Sequence, residues 1–174
     1  MFYRVSASLL TTAPNLEVIG TESTGEVEFV LLNHDNEVWV GVGSDHTDRK
    51  AETTGVTLSK QLCPKPMAPE LWALADVEPH WDALILRSCA ESGGQRTLYQ
   101  EGNVSAVRHP RDLIRLYQNR DRQGFVGGMA MFCGTFGVIG GIRWADKFSI
   151  EMEDPVLRRR MTHSYQLRPL PIEG

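Results

Sequence analysis

The sequence predicts a mixed α/β, predominantly β fold with few short helices, and three observations carry that expectation. Short β-prone segments recur along the whole chain, separated by Gly and Pro. Two of them, 26–32 and 37–42, flank Asn33-His34-Asp35-Asn36, which has the composition of a hairpin turn. The clearest helical pattern is confined to 110–118. There Pro110 stands near the start, Asp112 lies in the first turn, and Leu113, Ile114, Leu116 and Tyr117 recur at helical spacing.

In chain order, residues 2–5 form a strand-like opening. Strands are expected at 26–32 and 37–42, then one or two helical turns at 69–74 and again at 78–82. Strands follow at 83–89 and 97–101, the helix at 110–118, and strands at 129–134, 147–152 and 165–170. No repeat, low-complexity stretch or linker interrupts this order. The 174 residues therefore read as one domain, 1–174, long enough to bury a sizeable core.

Bulk properties exclude several function classes. A formal charge of −4 argues against a general nucleic-acid binder. No apolar run is long enough to span a bilayer, and the N-terminus lacks the charged and continuous apolar regions of a signal peptide. Cys63, Cys89 and Cys133 are odd in number and show no Cys-x-x-Cys spacing, which fits reduced thiols in a cytoplasm better than disulfides or a zinc site. Cys133 before Gly134-Thr135 reads as a small buried hydrophobe ahead of a nucleophile. His34, His80, His109 and His163 default to the surface, Trp72 and Trp81 to core anchors, and Arg158-Arg159-Arg160 to a solvated face.

The chemistry-bearing residues begin with Glu26 and Glu28. In a strand, side chains at i and i+2 share a face, so these two carboxylates project together while Val27 and Phe29 point away. Crowded carboxylates repel unless a cation or a shared proton relieves them. Hard divalent cations take such oxygen ligands, and Asp45, in Gly43-Ser44-Asp45-His46-Thr47-Asp48-Arg49, supplies a third. The competing reading is an ordinary solvated strand face.

Further segments extend the pattern: Phe2-Tyr3-Arg4-Val5-Ser6, Ser59-Lys60-Gln61 with Pro66-Met67-Ala68-Pro69-Glu70-Leu71-Trp72, Tyr99-Gln100-Glu101-Gly102, and Gly127-Gly128 through Cys133-Gly134-Thr135-Phe136-Gly137. Together with the Glu-x-Glu strand and the Asp45 motif, in this order, they resemble the catalytic domain of the fumarylacetoacetate hydrolase superfamily, in an uncharacterised bacterial branch. The resemblance implies that family's β-sandwich roll and a homodimer. It implies Mg²⁺ or Mn²⁺, with Ca²⁺ as a further choice, on Glu26, Glu28 and Asp45. It assigns catalytic roles to Lys60, Thr135 and Arg49, and substrate contacts to Gln100, Gly134 and Thr135.

The implied reaction is hydrolysis of a C–C bond next to a carbonyl in a small, acylpyruvate-like oxo-acid. Two alternatives stand beside it: a lyase or isomerase in the same site (an oxo-acid decarboxylase or tautomerase), and a non-catalytic metal- or carboxylate-binding protein. Active family members carry a His and a Glu on a lid before the first strand, and no counterpart is expected here. His46 is the nearest candidate for a water-activating base, although strand alternation would turn it away from Asp45.

Overall fold

The computed structural model describes residues 1–173. Its strands are β1 (Leu10–Thr11), β2 (Asn15–Ile19), β3 (Ser23–Thr24), β4 (Val27–His34), β5 (Glu37–Ser44) and β6 (Thr47–Asp48). Two short helices follow, α1 (Arg49–Glu52) and α2 (Val56–Gln61), then β7 (Lys65–Pro66), β8 (Trp72–Ala73) and α3 (Leu74–Val77). The remainder is β9 (Ile85–Ser92), β10 (Gln95–Asn103), α4 (Pro110–Gln118), β11 (Ala130–Phe132), β12 (Lys147–Asp154) and β13 (Arg159–Leu170). The fold is mixed α/β and predominantly β, with few short helices, and is fumarylacetoacetate-hydrolase-like.

Two sheets dominate. One has the order β10-β9-β12-β13-β2, the other β11-β4-β5-β8. Within these two sheets pairing is antiparallel except where β2 joins β13 in parallel. β12 alternates strictly: Phe148, Ile150 and Met152 are buried, while Ser149, Glu151 and Glu153 lie on the other face. β4 is buried at every position from Val27 to Leu31, as a strand covered on both faces must be. The core between the sheets gathers Phe29, Leu31, Val40 and Val42 with Leu86 and Met152. A second cluster joins Leu16, Tyr99, Phe148 and Tyr165 at the β2 side. No helix among the described residues is long and apolar enough to cross a membrane.

The hairpin falls where expected. Asp35 and Asn36 occupy its tip with φ of 51° and 64°, the left-handed geometry that Asp and Asn tolerate. Two expectations are corrected. Residues 2–5 join no ladder. Phe2 instead packs edge-to-face on Tyr117 at 5.3 Å, and Arg4 reaches the Tyr117 hydroxyl at 2.6 Å. Residues 69–74 are not a helix, because Trp72 pairs with Val40 as a short strand and Arg159 covers its ring at 4.4 Å; the helical turn starts only at Leu74. The segment after Asp48, for which the sequence predicts no element, forms α1 and α2, with the Asp48 carboxylate capping α1 by accepting from Ala51 N–H at 2.8 Å.

Candidate metal and substrate site

The β4–β5 register brings the three carboxylates together. Val27 lies opposite Ser44, and one step further Asp45 N–H donates to the Glu26 carbonyl at 3.0 Å. Glu26 and Asp45 are thus cross-strand neighbours, with Glu28 two positions along the same face. One oxygen of each carboxylate lies within 4.8 Å of the others. Like charges placed directly opposite are destabilising unless compensated, and burial sharpens the conflict. Glu28 is 4% exposed. Burial and then the Asp45 charge push its carboxyl up to about 8, against the pull of the Gly134 N–H, which donates to Glu28 Oε2 at 2.7 Å.

Three cations answer the three carboxylates. Arg49 forms a 3.0 Å ion pair with Glu26 Oε1, while its other nitrogens donate to Thr24 Oγ1 at 2.7 Å and Glu52 Oε2 at 3.0 Å. Lys60 Nζ donates to Asp45 Oδ2 at 2.5 Å and reaches Glu26 Oε2 at 3.4 Å. Burial opposes the charged form of Lys60, but Asp45 and Glu26 outweigh it and hold the ammonium above its ordinary value. Lys65 Nζ lies 2.9 Å from Asp45 Oδ1 and donates to the His46 carbonyl. Its geometry on Asp45 is off-line, so that buried oxygen has an ion-pair partner but no hydrogen bond. The sequence expectation omitted Lys65 altogether.

The remaining expected residues divide. Arg49 and Lys60 are at the carboxylates. His46 is not: it is fully buried on the other face, its ring nitrogens meeting the Tyr165 hydroxyl at 3.2 Å and Ser23 Oγ at 3.0 Å. Burial, then Lys65 and Arg49, pull its pKa down to about 3. The assignment of His46 as a base for water at the carboxylates is therefore corrected: in the link between β5 and β6 its ring is held by Tyr165 and Ser23, away from the cluster.

Gln100, Gly134 and Thr135 lie beside β4 but serve the protein's own groups. A register shift between Leu98 and Gln100 turns the fully buried Gln100 inward. Its carbonyl accepts from Val27 N–H at 2.9 Å and from the Ser88 hydroxyl, and its amide donates at 2.8 Å to both Thr135 Oγ1 and the Phe136 carbonyl. Thr135 in turn donates to the Val27 carbonyl at 2.7 Å. Gly134 presents its N–H to Glu28 from a φ of 100°, a conformation that favours glycine. In this structure Gln100, Gly134 and Thr135, the residues expected to contact substrate, tie the 134–136 loop to β4 and so position Glu28. Cys133 is buried, and burial followed by Glu28 pushes its thiol up, as a structural cysteine requires.

A divalent cation fits this donor set. The ligands are hard oxygens, they converge, and Asp45 Oδ1 is a buried oxygen with no hydrogen bond. Two hollows lie elsewhere. One of 390 Å³ lies on the outer sheet face near Cys89, Ser149 and Ser164; the other, of 520 Å³, lies near Thr11, Pro64 and Arg168. Neither is lined by any of the three carboxylates, so convergent chemistry rather than hollow size marks the site.

A family profile described as "Protein of unknown function (DUF2848)" matches residues 1–165. The chain belongs to that family. No curated protein matches this DUF2848 chain. Solved structures with the same fold include 2-keto-3-deoxy-D-arabinonate dehydratase complexed with magnesium and 2,5-dioxopentanoate, at TM-score 0.69 and 14% identity, covering 97% of this chain and 63% of the dehydratase. The protein Cg1458 matches at TM-score 0.67 and 15% identity, covering 93% of this chain and 67% of its own. Cg1458 with inhibitor matches at TM-score 0.68 and 16% identity, over 93% and 64%. The chain thus spans about two thirds of the length of these neighbours, and at such identities the likeness is one of fold.

Proposed function

We propose that this chain is a divalent-cation-dependent enzyme, built as one catalytic domain of the fumarylacetoacetate hydrolase superfamily, that acts on a bond next to the carbonyl of a small oxo-acid. The observation that carries this reading is the convergence of Glu26, Glu28 and Asp45 within 4.8 Å, opposite a partly exposed lysine. A magnesium- and oxo-acid-bound dehydratase of the same fold supports it.

Glu26, Glu28 and Asp45 would hold Mg²⁺ or Mn²⁺. The bound ion would polarise the oxo group and stabilise a developing enolate. Lys60 Nζ, beside two of the carboxylates, supplies positive charge for the substrate carboxylate or the enolate oxygen. Arg49, with all three nitrogens engaged, fixes Glu26 rather than substrate. The Gly134 N–H and the Gln100–Thr135 latch fix Glu28 on its strand.

C–C hydrolysis requires a base for water, and His46 is turned away. That specific observation favours the lyase or isomerase reading, in which enolate stabilisation and proton return at Lys60 suffice, over the hydrolase. The deciding experiment has two stages. A calorimetric Mn²⁺ titration of wild type and Glu28→Gln should show one ion per chain in the former and none in the latter. Turnover of oxaloacetate and of a 3-deoxy-2-oxo sugar acid, against an acylpyruvate, then separates lyase from hydrolase. Binding of Mn²⁺ with no turnover of any of these would leave a non-catalytic metal- or carboxylate-binding protein.

A further inference from the structure

We infer that Lys60 is a displaceable counter-ion, so that the carboxylate cluster takes up a divalent cation tightly only together with an oxo-acid anion. This deepens the metal reading above and rests on it. Three carboxylates, Glu26, Glu28 and Asp45, face three cations, Arg49, Lys60 and Lys65. A divalent ion added to that set brings two further positive charges beside Arg49, Lys60 and Lys65, in a site with little exposure. An anion entering with it relieves the excess.

The three cations differ in how firmly they are held. Arg49 is tied on every nitrogen, to Glu26, to Thr24 and to Glu52. The Lys65 side chain is 3% exposed and wedged between Asp45 and the His46 carbonyl. Lys60 differs on each count. It extends from the six-residue α2, its side chain is 16% exposed, and its ammonium contacts only Asp45 Oδ2 and Glu26 Oε2. Those atoms belong to two of the three proposed ligands, so Lys60 competes for the same lone pairs as the ion. A flexible four-carbon stem lets it exchange them for a substrate carboxylate. The coupling is reciprocal: the anion strengthens cation binding by the same factor as the cation strengthens anion binding.

The test is a Mn²⁺ titration by calorimetry near neutral pH, on wild type, Lys60→Met and Lys60→Arg, each with and without saturating pyruvate, the simplest 2-oxo-acid anion. Wild type alone should bind Mn²⁺ about tenfold or more weakly than Lys60→Met, and pyruvate should raise the wild-type affinity by a similar factor. Lys60→Arg, which keeps the charge, should bind as weakly as wild type without pyruvate. Pyruvate should have little effect on Lys60→Met. Equal Mn²⁺ affinities in wild type and Lys60→Met, or a wild-type affinity indifferent to pyruvate, overturn the counter-ion role while leaving the metal site standing. No Mn²⁺ binding under any condition, with circular dichroism showing folded protein, overturns both. If the variants fail to fold, a wild-type Mn²⁺ affinity indifferent to pyruvate still overturns the proposal.

Discussion

Lys65 Nζ stands 2.9 Å from Asp45 Oδ1, with 3% and 12% of the two side chains exposed. A buried cation so placed compensates a carboxylate that the β4–β5 register forces opposite Glu26. Removing one partner of a buried pair leaves the other uncompensated, at a cost of about 3–5 kcal/mol. Lys65→Met is expected near the lower end, about 3 kcal/mol, because Lys60 remains beside Asp45. Urea unfolding monitored by tryptophan fluorescence measures it. A loss no larger than that of an exposed control such as Lys50→Met would show that Lys65 is not needed for this compensation.

Gln100 joins β10 to β4, to the 134–136 loop and to Ser88 on β9 through four hydrogen bonds. Gln100→Leu keeps approximate volume but strands the Val27 N–H, and one buried unsatisfied donor costs about 1–3 kcal/mol. Stability should fall by about 2 kcal/mol, and Mn²⁺ affinity should fall with it because Glu28 loses its framing. An affinity unchanged under conditions where the variant is fully folded would separate the latch from the site.

Gly134 adopts a φ of 100°, with its nearest neighbour for an added methyl at 3.7 Å. Space is available, so Gly134→Ala acts through backbone strain alone, expected at about 1–3 kcal/mol. The strain is relieved by turning the N–H away from Glu28 Oε2. Mn²⁺ binding should therefore weaken in this variant, whereas Gly127→Ala, with open space around it and no positive φ, should leave binding unchanged. Calorimetry on both variants reads the difference.

Asp154 is fully buried at the end of β12. It accepts from the Val156 and Leu157 N–H groups and meets His80 Nε2 at 3.0 Å and Arg159 Nε at 3.2 Å. Burial raises its pKa, but the Leu157 N–H, His80 and Arg159 outweigh that, and the net shift is downward. A carboxyl with a depressed folded-state pKa contributes stability above its unfolded value, near 4. That contribution is lost as pH falls through the lower folded value. Asp154→Asn should cost about 2 kcal/mol at pH 7, and the gap to wild type should narrow below about pH 4. Unfolding free energies at pH 7, 5 and 3.5 test the sign; a gap that widens on acidification contradicts it.

Much of the fold was legible because alternation is a local signal. β4, β5, β12 and α4 follow from their own residues, and so does the turning of His46 away from the Asp45 carboxylate. Propensity without a partner misleads: residues 2–5 are β-prone, yet Phe2 finds Tyr117 rather than a sheet edge. The cluster of Glu26, Glu28 and Asp45 was legible from face-sharing and motif order. Its compensation was only half legible. Lys60 and Arg49 sit in motifs, whereas Lys65, between two prolines, carries no periodic signal, and lysine is seldom buried. The crowding of three carboxylates was the one available hint that another cation was needed. The inward turn of Gln100 was not legible, because the irregularity between Leu98 and Gln100 comes from pairing with β9 and not from local sequence.

The parallel pairing of β2 with β13 sets Asn15 beside Gln166, about 150 positions later in the chain. During synthesis β2 emerges about 150 residues ahead of its partner. Until β13 follows, the apolar side chains Leu16 and Val18 lack Tyr165 and Leu167 of their final cluster. Such distant closure slows folding and prolongs exposure of an unpaired edge. For this protein, dependence on chaperones should concentrate in the interval between the emergence of β2 and that of β13.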